Sequence, residues 1–287
     1  MDVRAIIMGV TFAFIWSSAF TSARIIVADA SPLFALAVRF LISGGIGVAI
    51  ALALGQSWRL TRNQWRATII FGICQNALYL GLNFVAMQTI EAGLAAIVAS
   101  SLPLLVAVAA WLFLGQRPSF LGAVGLVTGF AGVALIMGSR LTMGVDPVGL
   151  GLCVIGVMSL TFATMILRNA SSGGNFLMVI GLQMLVGSVV LTAAAFMFED
   201  FRLDPSWKLA AAFGYTVFVP GLLATLVWFN LVHRVGTVKA STFHFLNPFI
   251  GVATAAIILS EVLGLQDVIG VAIITFGILA VQLSKQA

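Results

Sequence analysis

LPLLVAVAAWLFLGQRPSFLGAVGLVTGFAGVALI, residues 102–136, and LNPFIGVATAAIILSEVLGLQDVIGVAIITFGIL, residues 246–279, read as two versions of one segment. Each starts beside a proline and continues as hydrocarbon. Each then breaks at a polar residue and resumes as a second apolar run spaced by glycines. One offset of 145 carries Pro103 to Pro248, Gln116 to Glu261, Gly125 to Gly270 and Gly132 to Gly277. Upstream, RFLISG from Arg39 matches QMLVGS from Gln183 at an offset of 144. Self-similarity at half the chain length marks an internal repeat. Residues 1–140 and 147–287 therefore read as two copies of one unit.

Both versions are too apolar for water. The 287-residue chain is 61% hydrophobic and 8% charged, with a mean hydropathy of +1.16. Soluble domains carry about 25% charged residues, so this surface requires a bilayer. A helix needs about 20 apolar residues to cross the hydrocarbon. Ten such runs are present, near 5–27, 32–54, 66–86, 92–114, 118–138, 148–168, 174–197, 208–231, 237–259 and 265–284. Five per copy is an odd number, so the second copy enters the membrane from the opposite side. The expected fold is all-α: ten transmembrane helices as two inverted-topology five-helix repeats, an architecture used by secondary transporters.

Loop charge sets the orientation. With the N-terminus in the cytoplasm, the inner segments hold Arg4, Arg59, Arg62, Arg66, Arg117, Arg168, Arg234, Lys239 and Lys285 against one acid, Asp2. The outer segments hold Arg24, Arg140, Arg202 and Lys208 against eight acids. That bias follows the positive-inside rule and places both termini in the cytoplasm of a cell with the protein in its inner membrane. The basic residues are scattered in short loops, which argues against a nucleic-acid partner despite the net charge of +5. Cys74 and Cys153 fall in apolar runs without metal-ligand spacing. The first run is read as a retained span, not a cleaved leader.

Interrupted helices at matching places in two halves point to a substrate site at the repeat interface. Pro103 and Pro248 each remove a helical hydrogen bond in the middle of a span. Polar residues at helical spacing extend the candidate cavity: Ser241, His244 and Asn247 with Pro248 and Gly251 in span nine, and Asn76, Tyr79 and Asn83 in span three. Span one adds Trp16 and Phe20, span four Ser100, span seven Gln183 and span eight Trp228. Asparagine, glutamine and serine also serve as interhelical contacts, and His244 has the same two readings. Arg39 is the only Lys or Arg well inside a span. A mid-membrane arginine needs a partner: a substrate carboxylate, Asp29, Glu91, or carbonyls freed by a kink. The glycines at 125, 129, 132 and 277 permit close helix packing, within the chain or in a weak homodimer; the expected state is monomer or weak homodimer.

The chain resembles the drug/metabolite transporter superfamily, in its ten-helix form built from two EamA domains. The two segments quoted first carry the resemblance, together with FIWSSAFTSARIIVADASPLFALAVRF at 14–40. It implies an exporter of metabolites, with one branch exporting amino acids, aromatic ones included. Gln116 departs from the acid often found at its place, and Glu261 keeps it. No glycine-rich phosphate loop is present, so transport is expected to be secondary, without cofactors. No acid lies deep in a span, which favours facilitated export over proton exchange, with His244 the one mid-span group suited to the latter. A membrane enzyme would need facing acids, which are absent, or a nucleophile beside its base; Ser241 and His244 lie one turn apart on one helix but without a nucleophile elbow, and no charged ring or filter marks a channel. Aromatic walls with few polar anchors suit small amphiphilic substrates such as apolar or aromatic amino acids, and also nucleobases or drug-like cations. The expected partners are that small molecule and membrane lipid.

Overall fold

The computed structural model describes residues 2–167 and 174–284. Arg168 and Lys285, two of the basic residues counted above, lie outside the described residues.

Among the described residues, ten helices are long and apolar enough to cross a membrane: α1 Val3–Asp29, α2 Pro32–Ala53, α3 Arg62–Ala86, α4 Ala92–Leu114, α5 Phe120–Thr142, α6 Pro147–Ile166, α7 Phe176–Phe198, α8 Trp207–Val235, α9 Lys239–Leu259 and α10 Leu265–Ser284. Their starts are written locally. The Asp2 carboxylate accepts from the Ala5 N–H at the head of α1, and Thr61 and Gln64 form a reciprocal capping box on α3. Ser119 and Ser206 cap α5 and α8 through their hydroxyls. Pro32 opens α2, where its missing N–H costs nothing. Gly115 ends α4 in a left-handed conformation, φ 65°.

One boundary changes a conclusion. Helix α5 runs to Thr142, beyond the residue 138 expected, so Arg140 sits in its last turn and is buried. It is not a solvated loop charge.

Four helices are interrupted, and they form two repeat-related pairs. Helix α3 has a π-helical stretch at Gly72–Leu80, and α8 has one at Val219–Leu223. Helix α4 breaks at Ser101 between two α-helical pieces, and α9 passes through a 3₁₀ turn at Thr242–Leu246. The prolines explain two of these. Pro248 has no N–H for the carbonyl of His244, and the Asn247 N–H takes that carbonyl instead, which tightens the helix to three residues per turn. Pro220 likewise has no N–H for the carbonyl of Thr216, and the helix widens there.

The two halves interlock through helices that correspond between them. Helices α5 and α10 pack antiparallel: a Cβ at Gly125 would lie 2.8 Å from the Gly277 carbonyl, and one at Gly132 would lie 3.0 Å from that of Gly270. The expected glycine face is therefore occupied within the chain. Helices α2 and α7 also run antiparallel, with the Ser188 hydroxyl on the Ala37 carbonyl near one end and Gly181 against Val48 near the other. Repeat-related partners that meet head to tail are the signature of inverted copies. Outside this interior, large apolar side chains such as Phe14, Leu41, Phe162, Phe249 and Phe276 are exposed at mid-span, as a hydrocarbon solvent requires.

The helix ends form two faces. One carries the start of α1, the end of α10 and Arg4, Arg59, Arg62, Arg66, Arg117, Arg234 and Lys239. The other carries Asp29, Glu91, Asp146, Glu199, Asp204, Glu261 and Asp267. They are called here the basic and acidic faces.

Candidate functional site

Helix α1 occupies the centre and packs against α4, α8 and α9. Where it meets α4 and α9 lies a cavity of ≈ 10 Å³, lined by Trp16, Ser17, Phe20, Ala96, Ala99, Ser100 and Asn247. That is room for about one water molecule. The cavity sits at the breaks in α4 and α9. The Ser17 hydroxyl donates to the Asn247 carbonyl at 3.3 Å, and Thr21 donates to Thr254 one turn further along. Ser100 turns its hydroxyl back to the Ala96 carbonyl. Gly251 packs so closely on Ala96 that a Cβ would approach to 2.6 Å. Helices α4 and α9 therefore touch directly beside the cavity.

Asn247 is 6% exposed. Its side-chain nitrogen lies 2.9 Å from His244 Nδ1, and its Oδ1 is buried without a partner. In this arrangement Nδ1 accepts and the imidazole carries its proton on Nε2. The ring is enclosed by aromatic side chains, with Phe12 edge-on at 5.6 Å, Trp16 edge-on at 6.3 Å and Trp228 tilted at 5.5 Å.

The remaining expected residues divide. Trp16, Phe20, Ser100, His244, Asn247 and Trp228 are brought together around α1, and the prolines at 103 and 248 shape the breaks beside them. Ser241 turns away: its hydroxyl donates to Gln282 of α10 at 3.2 Å. The 3₁₀ turn after it advances each residue further round the axis than an α-helix does, so the stripe expected from regular spacing splits. Asn76 donates to the Gln183 carbonyl at 2.9 Å, in the contact between α3 and α7. Asn83 donates to the Tyr79 carbonyl in its own helix and leaves Oδ1 buried without a partner. Tyr79 is buried with it, within the main core. Gln183, Asn76, Tyr79 and Asn83 thus form a second polar group, away from the residues that line the cavity.

Neither Asp29 nor Glu91 partners Arg39. Its Nε donates 3.3 Å to the Thr216 carbonyl, the one Pro220 leaves without its helical donor, and Ser43 donates to the next carbonyl, Val217, at 3.2 Å. Of the partners considered, the freed carbonyl is the one observed. Beside it the Thr216 hydroxyl donates to Ser22, and Ser18 and Tyr215 share a hydrogen bond of 2.6 Å. Tyr215, Phe12 and Pro220 were not singled out from the sequence. Pro220 carried the same signal as Pro103 and Pro248.

The acidic face is tied together across the two halves. Arg140 holds Asp267 with two hydrogen bonds, 3.1 and 2.8 Å, and Glu91 at 2.9 Å. Glu261 accepts from the N–H groups of Ala92 and Gly93 at the start of α4, at 2.7 and 2.9 Å. Glu199 does the same for Leu33 and Phe34 at the start of α2. Arg24 donates to the Met87 carbonyl. Burial lifts the Glu91 carboxyl above its ordinary range, against the pull of Arg140 and with the push of Glu261 and Asp267. Asp146 is held below its range by hydrogen bonds from Thr89, Val148 and Gly149. Among the described residues, no group of three or more His, Cys, Asp or Glu could hold a metal ion.

The sequence profile of the EamA-like transporter family matches twice, over residues 3–138 and 147–283. Similar proteins include an uncharacterized transporter of Bacillus subtilis, YvbV, 27% identical over 95% of this chain and 89% of that one. Another is the uncharacterized inner membrane transporter YedA of Escherichia coli K12, 27% identical over 94% of this chain and 88% of that one. A solved structure, 18% identical, shares the fold with a TM-score of 0.71 over 99% of this chain and 98% of the other. With both halves matched and ten apolar helices interlocked around a polar centre, the chain is a multi-pass membrane transporter belonging to the EamA-like transporter family.

Proposed function

We propose that the protein exports small amphiphilic metabolites, apolar or aromatic amino acids foremost, by alternating access through the cavity beside Asn247. Export is secondary and facilitated, and each of the two five-helix halves, 1–140 and 147–287, contributes one broken helix, α4 or α9, to the moving pair. The protein lies in the inner membrane with both termini in the cytoplasm. The charge bias between the two faces supports that orientation, and the description of the Escherichia coli relative supports the location.

One observation carries the reading. Asn247 Oδ1 is a buried acceptor without a donor, in the wall of a cavity where two broken helices meet. An unpaired polar atom in an apolar setting costs about 1–3 kcal/mol, which an N–H of a bound substrate would recover. Trp16, Phe20 and the aromatic side chains around His244 supply the apolar wall. Those same rings also suit a planar cation, the second reading. The test is counterflow into liposomes holding the purified protein, against a panel of amino acids, nucleobases and aromatic cations. Saturable counterflow of amino acids that is weakened in Asn247→Ala, with folding intact, is the expected result. Counterflow confined to nucleobases or cations would replace the amino-acid reading, and flux without saturation would replace the carrier.

A further inference from the structure

Arg39 is 6% exposed, and among the described residues its guanidinium has one hydrogen bond, the 3.3 Å contact with the Thr216 carbonyl. Its carbon lies 4.9 Å from the centre of the Phe40 ring, which covers one side. No carboxylate answers it, and the nine acids of the chain can be followed one by one. Asp2 pairs with Arg234, Asp204 with Arg202, and Glu91 and Asp267 with Arg140. Glu199 and Glu261 hold the starts of α2 and α4, and Asp146 holds Thr89. Asp29 accepts from Ser206, and Asp200 is exposed. Arginine does not shed its proton. Even the mildest scale puts a charge at the centre of a span at about 2.5–3.5 kcal/mol, and one long bond to a neutral carbonyl offsets little of a cost on that scale.

We propose that Arg39 binds the carboxylate of the transported substrate. Arg39 lies where α1, α2 and α8 meet: Thr216, whose carbonyl it takes, is joined through its hydroxyl to Ser22, the two hydroxyls also donating to Ala212 and Ala19 in their own helices, and Ser18 and Tyr215 pair one helical turn away. Helix α1 links this wedge to the cavity, because Ser17 and Phe20 face the cavity while Ser18 and Ser22 face the wedge. Among the described residues Arg39 is the only buried cation away from the helix ends. It therefore balances one negative charge, which selects a monocarboxylate over a phosphate monoester carrying close to two. The planar guanidinium fork matches a carboxylate in two parallel hydrogen bonds.

The assignment rests on the transporter reading but not on which metabolite is carried, and binding is measured apart from flux. Thermal stabilisation of the detergent-purified protein is recorded with L-phenylalanine, L-leucine and benzoate, each beside its carboxamide, and with chloride against sulfate. The expected result is saturable stabilisation by at least one acid and binding of its amide at least roughly tenfold weaker, the scale of a charge-assisted bond. Arg39→Gln should abolish that preference. Arg39→Lys, which keeps the charge and the fold but loses the fork, should retain it in reduced form. A lower melting temperature with the acid-over-amide ratio unchanged would overturn the proposal and leave Arg39 as an anchor for Thr216. So would stabilisation by chloride alone, a resident inorganic ion, or binding of amides and acids alike in the wild type. Arg39-dependent acid binding without counterflow would uphold the site and remove the transport reading instead.

Discussion

Helices α2 and α7 are fastened at both ends, whereas their neighbours α4 and α9 are fastened at one. At the acidic face Glu199 caps α2, and at the basic face Gln56 caps α7 by accepting from the Met178 N–H at 3.0 Å. These are repeat-related bonds, and both are made. For the other pair, Glu261 caps α4 at the acidic face. Its repeat mate Gln116 is exposed at the basic face, and the helical turn that leads into α9 from Thr237 has no side-chain cap. Two copies of one design are thus in different states. The difference leaves α2 and α7 tied at both faces, as a frame would be, and makes α4 and α9 the pair expected to exchange ends. The expected exchange has Gln116 take the N–H groups at the start of α9 as Glu261 releases α4.

The largest expected effect comes from untying the acidic face. Arg140→Ala strands Asp267, which is 4% exposed, and should cost about 3–5 kcal/mol of stability. Arg234→Ala at the exposed end of α8 should leave the melting temperature unchanged. Equal losses at the two faces would break the comparison. Next is the contact between α5 and α10, common to both states. A methyl at Gly277 would meet the Gly129 backbone at 2.4 Å, where nothing flexible can yield. Gly277→Ala should therefore cost about 1–3 kcal/mol and slow flux equally in both directions.

The cap exchange itself is smaller and has a sign. Glu261→Ala removes a cap worth about 0.5–2 kcal/mol and should increase labelling of a cysteine placed at the buried Ala92 by an impermeant thiol reagent added at the acidic face. Gln116→Glu strengthens the opposite cap and should push labelling the same way. A decrease in either variant would refute the exchange. Smallest is a pH effect. Because the Glu91 pKa is raised above 4.5, its neutral form favours this structure. That contribution is complete below the ordinary value and is lost as pH rises through the raised one. Melting curves should show that slope in the wild type and not in Glu91→Gln.

The ten spans were legible because their apolar runs are long and their loops short. The inverted repeat was legible because Pro103, Pro248 and the glycines kept their offset. Legibility failed where a polar residue looked alike in two roles. Asn76 and Asn247 carry the same side chain at similar depth, yet one fastens α3 to α7 and the other lines the cavity. Only the direction in which each faces decides, and the breaks in α3 and α9 disturb the regular spacing that would give it. The π stretch at Gly72–Leu80 contains no proline to announce it. Arg140 was misplaced for a different reason: hydropathy ends a span at its first charge, while the helix continues to meet Asp267.

The antiparallel contact of α5 with α10, and of α2 with α7, bears on how such a chain is put together. Each half buries its glycine or serine face only against the other, so neither half has a finished interior alone. The short segment joining Thr142 to Pro147 crosses none of those contacts. It acts as a tether that sets the ratio of the halves at one to one. Two separately synthesised halves, inserted in opposite senses, would find the same partner surfaces without it.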